Sequence, residues 1–232
     1  MTSTESSPGF FGKVTSHGDF VSRRLPSTFV EAWDTWLQAS VLASREKLGQ
    51  SWQSSYLTSP IWRFALNADV VDDKAWAGVL MPSVDRVGRY FPLTIGASTG
   101  NVTPLACLLN EKKWFDDLEA LALSSLDVKF QLEPFDVALQ NVSGLTAQTD
   151  ITHIISKFQN SWHLEVNDLE NLHAKSESIT NAIAGALLSG HSQWWTHGSN
   201  NVSPCLIVCR GLPNSELFSA MLDGNYVRPS TK

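Results

Sequence analysis

No stretch of this chain clusters Lys or Arg, and 17 basic residues against 23 acidic ones leave a net charge of −6. Neutralising a phosphate backbone needs a concentrated basic footprint, so nucleic acid is excluded as an expected partner. Long apolar runs are missing too. None approaches the roughly 20 residues that cross a hydrocarbon core, and the acidity works against adhesion to anionic lipid, so no membrane insertion is expected. Met1 to Pro8 lack a basic stretch followed by an apolar one, which gives no secretory signal and points to a cytoplasmic location. Cysteine is scarce: Cys107, Cys205 and Cys209 form an odd set without C-x-x-C. They read as reduced thiols packed as small apolar groups, not as a disulfide framework. The N-x-S/T sequons at Asn101, Asn141 and Asn201 then read only as polar turns.

Cofactor and catalytic signatures are also lacking. Gly12-Lys13 is followed by Val14, and Ser7 stands where a phosphate loop needs its first glycine. No G-x-G-x-x-G nest for a pyrophosphate occurs. Among six histidines, His153, His163 and His173 recur every ten residues, about 280° apart on a helix and so not on one face. His191 and His197 flank a tryptophan pair with no Cys or carboxylate at ligand spacing, and no H-E-x-x-H exists. Ser83, His17 and Asp85 compose a nominal triad, but no G-x-S-x-G elbow presents the serine. The expectation is a protein with no cofactor, no metal and no catalytic site.

What is there suits a packed core. The 232 residues are 43% hydrophobic and include nine tryptophans, enough to bury about 70 to 75% of the unfolded surface in one domain without a disulfide or metal. Gly9 to Val14 reads as a first strand. Pro26, Thr28 and Glu31 have capping-box spacing before a helix with apolar Phe29, Val30, Trp33, Trp36, Leu37, Val41 and Leu48, ending at Gly49. Ile61 to Leu66 alternates, with Trp62, Phe64 and Leu66 on one face and Ile61, Arg63 and Ala65 on the other. Ala75 to Met81 and Phe91 to Ala97 are continuously apolar, like strands covered on both faces. Helices follow at Glu111 to Leu126 and after Pro134, the pattern blurs from Val142 to Ser176, and a helix is read at Ser178 to Leu188. Pro204 to Cys209 is a strand and Pro213 to Leu222 a closing helix. Helices before, between and after strands imply a three-layer α/β sandwich, a mixed β-sheet with helices on both faces. That domain spans residues 9–224, with disordered tails at 1–8 and 225–232.

Polar residues concentrate between apolar segments. His17, Asp19, Arg23, Arg24, Arg63, Asp85, Arg86 and Arg89 lie in or beside loops, where function often resides. One reading has the aspartates capping turns and pairing with the arginines internally. In the other, the arginines dock on an acidic or phosphorylated partner. Trp194 and Trp195 point to opposite faces of a strand, and a sheet covered on both faces would take both into the core.

Six ordered segments carry a resemblance. PGFFGKVTSHGDFVSRRLP (Pro8 to Pro26), WDTWLQ (Trp33 to Gln38), SPIWRFAL (Ser59 to Leu66) and AGVLMPSVDRVGRYFPLT (Ala77 to Thr94), followed by WWT and CRGLP (Cys209 to Pro213), resemble the type VI secretion-associated TagF (ImpM) family. The strongest motifs lie within residues 8–98, and 142–176 diverges. The resemblance implies a cytoplasmic, non-enzymatic repressor that acts after translation on assembly of the secretion machine. It implies as partner the forkhead-associated-domain protein of that system, engaged alongside or independently of a kinase and phosphatase pathway. No catalytic residues come with it. The motif positions His17, Asp19, Arg23, Arg63, Ser83, Asp85, Arg86 and Arg89 are the candidate protein-binding residues. A structural accessory subunit, or a ligand-binding or hydrolytic module built on His17, Asp19, Arg63 and Asp85, are the alternatives. The sequence leaves the oligomeric state open.

Overall fold

The computed structural model describes residues 7–146, 155–158, 161–164, 183, 185 and 187–226. Its frame is one seven-stranded sheet in the order β2-β1-β5-β4-β3-β8-β9. The strands are β1 (Gly9–Gly12), β2 (Val21–Arg23), β3 (Trp62–Leu66), β4 (Trp76–Met81), β5 (Leu93–Ser98), β8 (His191–Thr196) and β9 (Cys205–Arg210). Between them in the chain, β6 (Ile155–Phe158) and β7 (Ser161–Leu164) pair as a separate hairpin. The expected strands fall within a few residues of these bounds. All ladders of the large sheet are antiparallel. This corrects the mixed sheet: the strand directions follow from meander-like neighbours and from β8 returning beside β3, which needs no parallel crossover.

Period-two alternation divides the core into two clusters, one on each face. Trp62, Phe64, Leu66, Trp76, Leu80 and Trp194 face α1 (Ser27–Leu48), α2 (Trp52–Thr58) and α6 (Ser215–Asp223). Phe10, Ala65, Val79, Leu93 and Ile95 face α3 (Pro104–Asn110), α4 (Lys112–Ser124) and α5 (Leu132–Gln140). Helices therefore cover both faces, as the alternation of elements implied. Strands β3 and β4 are buried along their whole length. Trp194 and Trp195 diverge as expected: Trp194 joins the α1 side, while Trp195 packs edge-on against Phe115 of α4 at 4.7 Å.

The α1 side is built of tryptophan. Trp33 stacks on Phe29 at 5.1 Å, lies 6.0 Å from Trp194, and donates its indole N–H to Thr94 Oγ1 at 2.8 Å. That hydrogen bond satisfies the one polar atom such a ring brings inside. Room for Phe64 under these rings comes from Gly78: a Cβ there would sit 2.2 Å from the Ile95 carbonyl oxygen and 2.7 Å from Phe64 Cζ.

Helix α1 begins at Ser27 with Pro26 as N-cap and no side-chain cap hydrogen bond. The capping box read from Thr28 and Glu31 does not form, because Thr28 already lies inside the first turn and its hydroxyl points to Asp72 at 3.5 Å. The helix ends at Gly49, whose N–H reaches the Arg45 carbonyl. Ser7 and Pro8 are held by α5 and by Arg24, through bonds to the Gln140 carbonyl and from the Arg24 guanidinium. The rest of both tails, most of the helix expected at 178–188, and the side chains of His153, His163 and His173 lie outside the described residues.

Candidate functional site

Two loops meet at one end of the sheet, one following β1 and one joining β4 to β5. The first starts at Gly12, whose φ of +142° and position 2.1 Å (for an added Cβ) from the Pro92 carbonyl oxygen admit no side chain. The chain then turns Lys13 inward. Lys13 is buried and donates to Asp85, whose side chain has no exposed surface. The same carboxylate accepts from Arg89 Nε at 2.6 Å, Arg89 N–H at 2.8 Å and Val87 N–H at 3.0 Å. Burial alone would raise the Asp85 pKa; the Lys13 ammonium, with the Arg89 and Val87 donors, overcomes it and holds the carboxyl well below the usual range.

Ser83 ties the loops a second time. Its hydroxyl donates to the Lys13 carbonyl at 2.8 Å, and its N–H donates to the Tyr56 hydroxyl at 3.1 Å. Burial pushes the Tyr56 phenol upward in pKa, so it stays a neutral donor, to the Ser83 carbonyl at 3.0 Å. Further bonds run from Arg86 N–H to the His17 carbonyl at 3.0 Å and from the Arg89 guanidinium to the Gly18 carbonyl. The anchor is thus a buried ion network in which donors balance acceptors, the condition under which burying charge is tolerable.

Seen from outside, this end presents Asp19, Phe20, Arg86, Val87 and Arg89. Phe20 is 47% exposed and Val87 66%. Phe20 rests on Phe91 and Phe11 at 4.8 and 5.5 Å, with the Lys13 ammonium 5.0 Å from its ring centre. Asp19 is fully exposed, 4.0 Å from Arg89.

Of the eight candidate residues, six gather here: His17, Asp19, Ser83, Asp85, Arg86 and Arg89. Two do not. Arg23 sits on β2 opposite Phe10 and donates to the Ser22 carbonyl at 2.9 Å. Arg63 faces α4, where it is buried and forms bonds of 2.7 and 2.9 Å to Glu119 and of 2.7 Å to Asp116. Its partner acids lie 53 and 56 residues away, beyond any local pattern. Arg24 likewise bonds Asp136 of α5 at 2.5 Å. The sequence reading missed Lys13 as a site residue; its signal was a single charge inside the apolar run GFFGKV, which a buried counter-charge must answer.

The nominal triad is not assembled. Ser83 bonds a carbonyl, His17 Nδ1 meets the neighbouring Ser16 hydroxyl at 2.8 Å, and the Asp85 oxygens are taken by Lys13, Arg89 and Val87. Ligand atoms of Asp116, Glu119 and His197 lie within 4.8 Å of one another, a proximity the spacing of His197 did not suggest. Arg63 already supplies the cation these carboxylates require.

The family model described as "TagF N-terminal domain, Type VI secretion system-associated" matches residues 9–142. The chain belongs to the TagF family. It is a type VI secretion system-associated protein, as the six motif segments implied. The TagF match takes in both loops of the site and ends where the sequence pattern blurs, yet β8 and β9, beyond it, complete the same sheet. The crystal structure of PA0076 from Pseudomonas aeruginosa PAO1 is similar over almost the whole chain: 36% identity, a TM-score of 0.82, and coverage of 97% of this chain and 99% of that one. No curated protein matches.

Proposed function

We propose that this TagF-family chain is a cytoplasmic repressor of the type VI secretion machine that acts by binding protein, with the forkhead-associated-domain component as partner. Family membership supplies the secretion system. The observation that favours binding over chemistry is the state of Asp85: its carboxylate is fully buried and every donor around it is structural. A general base must reach a substrate proton, and this one is spent on holding two loops together. Those loops in turn hold exposed arginine and apolar side chains on a fixed base, the composition of a protein contact.

The role is tested by raising the level of the chain in cells with an active secretion machine and scoring the secreted products. Repression should follow at unchanged levels of the machine's components, since the action is after translation. If secretion persists while the chain co-sediments in fixed ratio with assembled machine, the accessory-subunit reading replaces this one.

A further inference from the structure

We infer that Phe20, Arg86 and Val87 form the docking knob of this molecule, and that its occupant is an acidic segment of another protein in which an Asp or Glu stands beside an apolar residue. The inference rests on the protein-binding reading above and names the surface and the chemistry it recognises. Asp85, the acid next to Arg86 in the chain, is consumed by Lys13 and Arg89, and Arg89 is further tied to the Gly18 carbonyl. The Arg86 guanidinium has no ion-pair partner among the described residues, although the chain carries a net charge of −6. Its backbone is fixed by the bond to the His17 carbonyl at 3.0 Å, so the side chain is offered from a rigid base, which lowers the ordering cost of binding. Phe20 and Val87, 47% and 66% exposed, add apolar contact beside it.

Charge selects among occupants. A symmetric dimer with its two-fold axis at Arg86 would set that residue against its own copy, and like charges oppose such a contact. A phosphorylated residue calls for a cluster of arginines, whereas one guanidinium is free here and matches a single carboxylate in bidentate fashion.

The test places photo-reactive benzoylphenylalanine at Val87, or at Leu42 on α1, which is 60% exposed, in cells carrying the secretion machine. The expected adduct at Val87 maps by mass spectrometry to an acidic segment of a different protein, is weak or missing at Leu42, and falls about tenfold with Arg86→Glu. Arg86→Glu should leave the melting temperature unchanged. The inference is overturned by an adduct to a second copy of this chain, to a phosphorylated or basic segment, by an adduct indifferent to Arg86→Glu, or by none. Secretion is scored in the same cells. A wild-type chain that represses alongside an Arg86→Glu chain that represses equally removes the knob and keeps the repressor; a wild-type chain that fails to repress removes the repressor and leaves the knob to the cross-link.

Discussion

Lys13 and Asp85 meet as a buried ion pair across 72 residues of chain, joining the turn after β1 to the loop between β4 and β5. Neither charge can rehydrate when the other is removed. Asp85→Ala should therefore destabilise the fold by about 3 to 5 kcal/mol, the cost of an uncompensated buried charge. The double change Lys13→Met with Asp85→Ala should cost clearly less than the sum of the singles. Urea unfolding of the four proteins reads the coupling directly.

Acid should expose the same pair. The Asp85 pKa is lower in the fold than in the unfolded chain, so the unfolded state binds the extra proton first. The stabilisation is complete above the ordinary carboxylate value near about 4 and is lost as pH falls through the folded value beneath it. Asp116, lowered by Lys112 and Arg63, adds in the same sense, less strongly because it is 40% exposed. Melting temperatures should drop steeply on acidification below about pH 4, and Asp85→Asn should flatten that limb.

Arg63 reaches Glu119 through both Nε and Nη2, a fork that a lysine cannot reproduce. Arg63→Lys should cost about 2 kcal/mol in unfolding free energy, while secretion phenotypes stay unchanged at permissive temperature, because the acids it bonds both belong to α4 and not to the two loops. A loss of partner binding by stable Arg63→Lys protein would restore Arg63 to the contact surface.

Gly78 is the sharpest packing constraint on the α1 face. Gly78→Ala should destabilise by at least about 2 kcal/mol, because backbone and the Phe64 ring must both move. Near-ultraviolet circular dichroism of the tryptophan cluster should change with it.

Much of the frame was legible because its periodicity is strong. The alternation of Trp62, Arg63, Phe64, Ala65 and Leu66 gave both faces of β3, and the apolar stripe ending at Gly49 gave α1. Short elements escaped: β2 is three residues and α2 seven, too few for a period to register. The site was half legible. One of the two loop readings had the aspartates pairing internally with the arginines, and Asp85 does bond Arg89. The partners of Arg63 and the role of Lys13 depend on contacts made only when distant segments pack, and a single sequence does not encode distance. The direction of β3 against β8 was hidden for the same reason.

Binding to the forkhead-associated-domain protein of the same secretion system, measured by calorimetry with both purified chains, bears most directly on the proposed role. A saturable association should appear, weakened by Arg86→Glu in protein that melts like wild type. No association at concentrations up to about 100 μM, a free energy of about −5.5 kcal/mol, from wild-type protein that is folded, would contradict it.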